Sequence, residues 1–272
     1  MLPAQPKAPM PTLAAAQPSQ FAVENVDFAY PGHAVFRGLS LRAQPGEFLV
    51  LLGPSGCGKT TLLNLLAGFM APASGRVLLD DSPVRPEHPA LGYVFQSPQL
   101  FPWLSALENV RFGLRMAGRG SEAEQRALAI EHLALVGLAD AADKLPHQLS
   151  GGMQQRVALA RTLALQPGVL LMDEPFAALD AITRIKLNEE TLRIWSQLRQ
   201  TVVFITHDID EALFLADRIL VLAPAPGGIA AEFDIALPRP RAAATRQLAQ
   251  FAHYRQQVSA CIADLQLQPL AA

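Results

Sequence analysis

Near its beginning the chain alternates short apolar segments with turn residues. The segments FAVENVDFAY, LSLRAQPG and EFLVLLG are separated by Pro31-Gly32 and Pro45-Gly46, as in strands joined by tight turns. Behind the third segment, the apolar residues of TTLLNLLAGF recur at helical spacing, and Gly68 or Pro72 is positioned to end that helix. The pattern predicts a group of strands followed by a helix.

The middle of the chain has apolar residues at helical rather than strand spacing. SALENVRFGLRMA, SEAEQRALAIEHLALVGL and MQQRVALARTLALQ predict a mainly helical insert from about residue 100 to 160. Compact apolar strands resume in VLLMDEP, VVFITHD and RILVLA, each followed by polar or helical sequence, which is typical of a parallel sheet. The predicted fold class is α/β, with a mostly parallel sheet, an N-terminal antiparallel β subdomain and a helical subdomain.

The two ends of the chain differ in sequence pattern from the segments between them. Residues 1–20 are rich in proline and alanine and lack a basic start followed by an apolar run, so they predict a flexible leader rather than a secretory signal. Residues 21–223 form the predicted main domain. Residues 224–272, where glycine and proline are frequent at first, predict a short C-terminal extension with one helix from Thr245 to Leu267.

Composition narrows the classes of function. Half of the 272 residues are hydrophobic, which suits a chain with a sizeable core, and the net charge of −2 gives no reason to expect nucleic acid as a partner. Cys57 and Cys261 are too few for a disulfide framework. The longest apolar runs, such as FLVLL, fall well short of the roughly 18 residues of a membrane-spanning helix, so no such helix is expected.

A glycine-rich stretch, GPSGCGKTT, stands between a predicted strand and a predicted helix; we call residues 53–61 the phosphate loop. It fits G-x-x-x-x-G-K-[ST], in which bare backbone N–H groups at a helix N-terminus surround phosphate oxygens. The lysine of this pattern reaches the β- and γ-phosphates, and its threonine hydroxyl is offered to Mg²⁺. The predicted triphosphate-binding residues are Gly53, Pro54, Ser55, Gly56, Cys57, Gly58, Lys59, Thr60 and Thr61.

A second motif, VLLMDEP, places two carboxylates at the end of an apolar strand. We predict that Asp173 holds Mg²⁺ through its water shell and that Glu174 polarises a water molecule for attack on phosphate. A strand-ending acidic turn without chemistry would contain the same residues. Together with a phosphate loop, however, Glu174 favours hydrolysis over phosphoryl transfer to a metabolite, because a metabolite kinase needs no base for water.

The segment LSGGM, residues 149–153, opens a helix about twenty residues before LLMDEP. With the phosphate loop and the acidic motif, this arrangement resembles the nucleotide-binding subunit of ATP-binding cassette (ABC) transporters. The resemblance covers about residues 21–223 and implies a P-loop NTPase core that hydrolyses ATP with Mg²⁺. It also implies that Ser150, Gly151 and Gly152 contact the γ-phosphate of ATP held by a partner subunit, at a helix N-terminus that favours anions.

Four more positions match the motifs of this family. The resemblance implies that Tyr30 in DFAYPG stacks on adenine and that Gln96 in YVFQ contacts Mg²⁺ and the attacking water. It implies that Asp180 in FAALD belongs to a loop that crosses to the partner and contributes to ATP binding, and that His207 in FITHD senses the γ-phosphate. The implied catalytic residues are Glu174, His207 and Gln96, and the implied Mg²⁺ ligands are Thr60, Gln96 and Asp173.

The chain departs from the pattern of the family at two places. Met153 replaces the glutamine more usual after LSGG, and the small residues Ala177 and Ala178 occupy the loop before Asp180. Neither change removes a phosphate contact. Cys57 has two interpretations. A helix N-terminus could lower the pKa of its thiol and make it reactive, or Cys57 is a small residue that fills a tight loop, which is the interpretation we favour.

One phosphate loop and one LSGG segment imply a two-fold dimer, either a homodimer or a pair with a second ABC ATPase subunit. The transport path is assigned to integral membrane permease subunits, with a solute-binding protein as an indirect partner. The chain itself is expected to lie peripherally on the cytoplasmic face of the membrane. Phe101 and Trp103 belong to a segment that receives a permease helix in this family, or they are ordinary core residues.

Several segments also favour a class of solute. QLFPW after the glutamine motif, DEPFAALDA and THDIDEA resemble importers for nitrate, taurine, alkanesulfonates and related small anions, and the short C-terminus agrees. The alternatives are an importer for another solute or an exporter, a soluble ABC ATPase acting on DNA or ribosomes, and a metabolite kinase. The soluble class predicts a long coiled-coil insert or two cassettes, which this sequence lacks, and LSGGM and Glu174 disfavour the kinase.

Overall fold

The computed structural model describes residues 17–267, so most of the predicted leader, 1–16, lies outside the described residues, as do the last five. The strands of the described part are β1 (Phe21–Tyr30), β2 (His33–Ala43), β3 (Phe48–Leu52), β4 (Ser74–Leu79), β5 (Ser82–Pro83), β6 (Leu91–Val94), β7 (Val169–Asp173), β8 (Thr201–Ile205), β9 (Arg218–Leu222) and β10 (Ile229–Asp234). The helices are α1 (Lys59–Leu66), α2 (Ala106–Met116), α3 (Glu122–Leu135), α4 (Gly151–Leu163), α5 (Ala181–Leu198), α6 (Ile209–Leu215) and α7 (Ala249–Leu267).

The strands form two sheets. The first has the order β2-β1-β4-β5, and all of its neighbouring strands are antiparallel. The second has the order β10-β9-β3-β8-β7-β6 and is parallel except for the edge strand β10. The predicted α/β class, with a mostly parallel sheet and an N-terminal antiparallel subdomain, is confirmed.

The position of strand β3 in the sheet explains why its sequence is an unbroken apolar run. Each of its five residues is buried, and it lies between β8 and β9. Successive side chains point to opposite faces: Phe48 enters the core shared with the helices, whereas Leu49 enters the core beneath the antiparallel sheet. A strand covered on both faces has no polar side, and β3 therefore holds the start of the phosphate loop rigidly.

The segment from about 100 to 160 contains α2, α3 and most of α4, which pack against one another. Local chemistry fixes where these helices begin. Ser105 caps α2, and Ser121 forms a capping box with Glu124 at the start of α3. Buried Asn109 accepts the N–H of Phe101 at 2.9 Å and donates to the carbonyl of Leu104 at 2.9 Å, so the chain entering α2 is fixed as well.

Both ends of the main domain have structure beyond the elements that the sequence predicts. Ser19, which the sequence analysis assigns to the leader, is buried, and its carbonyl accepts the Thr201 hydroxyl at 2.5 Å, so this residue packs on the main domain. The extension beginning at 224 contains the edge strand β10 as well as α7, which starts at Ala249 rather than at Thr245. None of the helices within residues 17–267 is long and apolar enough to cross a membrane.

Candidate active site

The phosphate loop joins β3 to α1, with Ser55 and Gly56 exposed at its tip. Gly58 precedes α1 at φ +99°, a left-handed conformation that favours glycine. A Cβ atom added there would lie 2.6 Å from Cγ1 of Val35 and 2.8 Å from Cζ of Phe36. The loop is therefore seated on β2 of the antiparallel sheet, and its shape requires glycine at this point.

Lys59 directs its charge into the phosphate loop. The residue is buried, and its Nζ donates to the carbonyl oxygens of Gly53 at 2.9 Å and Pro54 at 3.0 Å. An ammonium group has three donors and no acceptor, so phosphate oxygens in the loop would share these donors with the two carbonyls. The ammonium thus lies inside the phosphate loop, and its contact with the β- and γ-phosphates stays a prediction.

Cys57 belongs to the core rather than to the surface of the loop. Its Sγ lies 3.9 Å from Nζ of Lys59 and packs with the cluster beneath the antiparallel sheet. Burial raises the pKa of the Cys57 thiol, and the nearby Lys59 charge opposes this shift without overcoming it. This agrees with a small residue filling a tight loop and contradicts the alternative of a thiol activated by a lowered pKa.

Motifs that are far apart in sequence meet at one edge of the parallel sheet. The phosphate loop follows β3, His207 follows β8, Asp173 ends β7, and Gln96 follows β6. These strands are neighbours in the order β3-β8-β7-β6. Ligands of open α/β sheets bind outside the carboxyl ends of the strands, so the sheet places all four motifs where a ligand can touch them together.

Thr60 and Asp173 form an oxygen-donor pair at this edge. The Thr60 hydroxyl donates to Oδ1 of Asp173 at 3.3 Å. Burial raises the pKa of Asp173; the Thr60 hydrogen bond opposes this shift, and the Glu174 charge adds to it. Mg²⁺ prefers such oxygen donors and takes one or two carboxylates together with phosphate oxygens. Residues 17–267 contain no group of three or more His, Cys, Asp or Glu side chains able to hold a metal.

Glu174 and His207 meet across the ends of β7 and β8. Glu174 adopts φ +40°, a conformation uncommon outside glycine, and its N–H donates to the carbonyl of Ile205 at 3.1 Å. Its Oε2 lies 3.1 Å from Nδ1 of His207, whose side chain is exposed. The backbone of two adjacent strands therefore positions a carboxylate able to accept a proton.

Gln96 lies in a loop that α4 holds in place. Nε2 of Gln155 donates to the carbonyl of Phe95 at 3.0 Å, and the Arg161 guanidinium donates to that of Pro98 at 3.1 Å. The Gln96 side chain is exposed and has no hydrogen-bond partner within residues 17–267. Because α4 fixes the backbone on both sides of Gln96, a movement of the helical subdomain would move this residue too.

Tyr30 lies beside the first turn of α1. The ring is 40% exposed, and its hydroxyl oxygen is 3.4 Å from Oγ1 of the buried Thr61. Phe28 packs edge-on against the ring, with centroids 5.1 Å apart. The structure thus brings Tyr30 to the phosphate loop with part of its ring free, and adenine stacking by this ring stays a prediction.

The LSGGM segment and the Asp180 loop each begin a helix. The Ser150 hydroxyl accepts the N–H of Met153 at 3.3 Å and caps α4. A carboxylate oxygen of Asp180 accepts the N–H of Thr183 at 3.0 Å and caps α5. Hydrogen bonds from the side chain and from the backbone N–H of Thr183 lower the pKa of Asp180. Both ends present backbone N–H groups, the arrangement that favours anions.

These two helix ends are neighbours. A Cβ atom on Gly151 would lie 3.5 Å from Cδ2 of Leu179, and one on Gly152 would lie 3.0 Å from Cγ2 of Thr183. Among the hydrogen bonds of residues 17–267, none joins either helix end to the phosphate loop. The predicted site residues therefore fall into two groups, one at the edge of the sheet and one at the starts of α4 and α5.

A polar network that the sequence analysis missed fixes both neighbours of His207. Asp208 caps α6, and its N–H donates to Oγ1 of Thr206 at 3.0 Å, while the Thr206 hydroxyl donates to Glu211. Arg184 on α5 donates to Oδ2 of Asp208 at 3.1 Å and to the carbonyl of Leu179 at 3.0 Å. Arg184 thus ties the Asp180 loop to the segment containing His207.

We predict that Arg184→Met lowers the free energy of unfolding by about 1–3 kcal/mol, because it removes two hydrogen bonds of a mostly covered guanidinium and leaves their acceptors unpaired. Urea unfolding followed by circular dichroism measures this. Arg126→Met, at an exposed position on α3, should stay within about 0.5 kcal/mol of the parent. Equal losses in the two variants would contradict a bridging role for Arg184.

Comparison with known proteins extends what the geometry shows. Residues 36–177 match the model of the family described as ABC transporter. The nitrate import ATP-binding protein NrtD of Synechococcus elongatus is 49% identical over 211 residues, covering 77% of each chain. The taurine import ATP-binding protein TauB of Chromobacterium violaceum is 52% identical over 208 residues, covering 76% of this chain and 79% of the relative.

A solved structure agrees with these relatives. The ATP-binding cassette MJ0796, in a dimeric post-hydrolysis state bound to ADP and Pi, superposes with a TM-score of 0.70 at 34% identity, covering 79% of this chain and 98% of that one. A family match over half of the chain and relatives near 50% identity agree with the fold and with the motifs at the sheet edge. The chain is an ATPase that belongs to the ABC transporter family.

Proposed function

We propose that this chain is the subunit that powers import of a small anion, of the nitrate, sulfonate or taurine type, by ATP-driven closure of a dimer. One observation carries the chemical part of the proposal: Lys59, Thr60, Asp173, Glu174 and His207 lie at the carboxyl ends of three adjacent strands. The relatives at 49% and 52% identity, a nitrate and a taurine import protein, support the class of solute.

In this mechanism the phosphate loop receives the triphosphate of ATP and Lys59 turns its donors toward it. Glu174 accepts a proton from water as the water attacks the γ-phosphorus, and the bond to ADP breaks. His207, 3.1 Å from Glu174, holds the carboxylate and meets the γ-phosphate through its other ring nitrogen. Gln96 orients the water, and movement of α4 carries Gln96 to or from it.

The donor set at the sheet edge also fits Mg²⁺. Thr60 and Gln96 would hold the ion directly, and Asp173 would hold it through water. When bound, the ion supplies positive charge that neutralises the phosphate oxygens. Asp173 and Thr60, already 3.3 Å apart, need no large rearrangement to share one ion.

The second group of site residues requires a partner chain. Ser150, Gly151 and Gly152 present a helix N-terminus next to the Asp180 loop, and none of the hydrogen bonds within residues 17–267 joins it to the phosphate loop of the same chain. Two chains related by a two-fold axis would place each such end against ATP bound to the other chain. MJ0796, whose structure is dimeric, supports this arrangement.

Permease subunits provide the transport path, a solute-binding protein delivers the anion, and this chain lies on the cytoplasmic face of the membrane. An exposed aromatic surface supports contact with the permease. Trp103 is 72% exposed, whereas its neighbour Phe101 is half-buried against Phe112, with ring centroids 4.4 Å apart. Trp103 is therefore not a core residue, and a large exposed ring is typical of an interface anchor.

We expect Trp103→Asp to weaken recovery of the permease at least tenfold, since loss of an aromatic anchor commonly costs more than about 1.4 kcal/mol of binding. Affinity capture with quantitative mass spectrometry measures recovery. The ATPase rate of the isolated chain should not change, because Trp103 is exposed, lies outside the sheet-edge motifs and packs against Phe101, with ring centroids 5.7 Å apart. Ile130→Asp, an exposed position on α3, is the matched control; unchanged recovery with Trp103→Asp would remove this residue from the interface.

The whole proposal is tested by capture followed by transport. Tagged Glu174→Gln protein with ATP is purified from solubilised membranes, and a permease recovered with it is reconstituted in liposomes with the wild-type chain and the solute-binding protein. ATP-dependent uptake of labelled nitrate or taurine would establish the function. Recovery of soluble or ribosomal proteins alone would favour a soluble ABC ATPase, and uptake of neither anion would overturn the solute class.

A further inference from the structure

A cavity of about 390 Å³ lies between the C-terminal end of α5 and the segment after β10. Its lining includes four arginines, Arg193, Arg199, Arg239 and Arg241, and the indole of Trp195. Helix α5 has 18 residues and starts beside the LSGGM segment. At 1.5 Å per residue it spans about 27 Å, so this cavity is separate from the ATP site at the other end of the helix.

The positive charge of the cavity is not balanced by its own residues. Glu189 is the one carboxylate among its lining residues, and it pairs with Arg246 at 3.8 Å. Arg239 is neutralised by Asp217, with Oδ1 2.6 Å from Nη2. Within residues 17–267, Arg199 and Arg241 have no carboxylate at salt-bridge distance. Arg193 lies 3.9 Å from Glu190, so the excess of guanidinium charge in the cavity comes from Arg199 and Arg241.

Arg241 is the most deeply placed of these cations, with 7% of its surface exposed. Its terminal nitrogens donate to four backbone carbonyls near the ends of α6 and β10, at 2.7–3.2 Å, whereas its Nε is buried without a partner. Burial and the neighbouring Arg239 lower the pKa of Arg241 to about 10. The four carbonyl contacts close a helix end, and Asp217, which pairs with Arg239, is a nearby carboxylate that acts on Arg241 as well. One carboxylate shared by two guanidinium groups leaves the buried cation incompletely compensated, a costly state that an anion would relieve.

Trp195 gives the cavity an apolar wall. Its indole is 5% exposed and is fixed by a hydrogen bond from Nε1 to the carbonyl of Gln200 at 2.9 Å. The guanidinium carbons of Arg239 and Arg199 lie 4.4 Å and 5.1 Å from the ring centroid. Ligand cavities typically combine such apolar walls with a few charged groups, at volumes of about 300–1,000 Å³.

We propose that this cavity binds a small organic anion, with a carboxylate, sulfonate or phosphate group beside Arg199 and Arg241 and an apolar body against Trp195. The proposal concerns binding in the isolated chain. It goes beyond the import function and does not depend on it.

Intrinsic fluorescence tests the proposal, because Trp103 and Trp195 are the two tryptophans of the chain. Trp103→Phe leaves Trp195 as the reporter within the cavity. With MgADP present to occupy the phosphate loop, benzenesulfonate is titrated and its stoichiometry is measured by equilibrium dialysis. We expect a saturable change in Trp195 emission at one molecule per chain, and no saturable change with the neutral benzyl alcohol.

Two charge-removing variants in the Trp103→Phe background decide where the anion binds. Arg199→Gln should weaken benzenesulfonate binding about tenfold or more, whereas Arg126→Gln, far along the chain on α3, should leave it unchanged. Both arginines are exposed, so neither variant is expected to unfold the chain. Linear quenching without saturation, or equal dissociation constants in the two variants, would overturn the proposal.

Discussion

Glu174→Gln should reduce ATP hydrolysis by about 10²- to 10⁴-fold, the contribution of a positioned general base, while ATP binding stays nearly unchanged. The amide has the shape of the carboxylate and can keep the contact with Nδ1 of His207, which is 3.1 Å from Oε2. The N–H of residue 174 still bonds to Ile205, so the turn retains its φ of +40°. What the variant loses is the ability to accept a proton from water.

Steady-state phosphate release and ATP titration on the same preparation separate these two effects. Glu122→Gln, an identical chemical change at an exposed position on α3, should hydrolyse ATP at the parent rate. ATP should also accumulate in a closed dimer of Glu174→Gln, visible as a doubled mass in size-exclusion chromatography. Turnover within a few-fold of the parent would assign the base to another residue.

The sheet-edge part of the site was predictable because its chemistry is local in sequence. A lysine and a threonine at a fixed sequence spacing from two glycines indicate a phosphate loop when a strand precedes them and a helix follows. The same holds for Asp173 and Glu174 at the end of β7. Parallel strands then bring such motifs together without further information, because the carboxyl ends of adjacent strands share one edge.

The polar network around His207 was not predictable in the same way. Asp208 and Glu211 carry the familiar pattern of a helix start, but nothing in the sequence joins them to Arg184, because a single arginine on a helix is usually solvated. Arg241 is similar: a proline-rich segment gives no sign that its guanidinium reaches the end of α6. Contacts between distant elements depend on how helices pack, which residue spacing does not encode.

Edge strand β10 is another feature that the sequence analysis did not predict. Its residues alternate between half-buried and exposed rather than forming an apolar run, because Ile229, Ala231 and Phe233 pack on the core and the residues between them point to the opposite face. Glycines and prolines on both sides favoured an extension without a strand. The strand forms because β9 offers it a free edge with antiparallel register from Ile229 to Asp234, and that edge exists only once the sheet has formed.

Gly151 offers the sharpest test of a site shared between two chains. It starts α4, and a Cβ atom there meets only Leu179, at an ordinary contact distance of 3.5 Å. An acidic residue in the first turn of a helix is favourable to that helix. Aspartate at this position should therefore be compatible with the folded chain and with ATP in its own phosphate loop, 53–61.

Gly151→Asp should nevertheless abolish ATP-driven dimer formation and reduce hydrolysis at least about a hundredfold. The new carboxylate would face the γ-phosphate held by the partner, and bringing like charges together costs several kcal/mol. Gly151→Asn has the same shape without the charge and should retain most of the dimer. The comparison is made by size-exclusion chromatography in the Glu174→Gln background and by phosphate release in the wild-type background. If Gly151→Asp bound ATP and dimerised as well as Gly151→Asn, the LSGGM segment would not face a phosphate, and each chain would have to complete its own site.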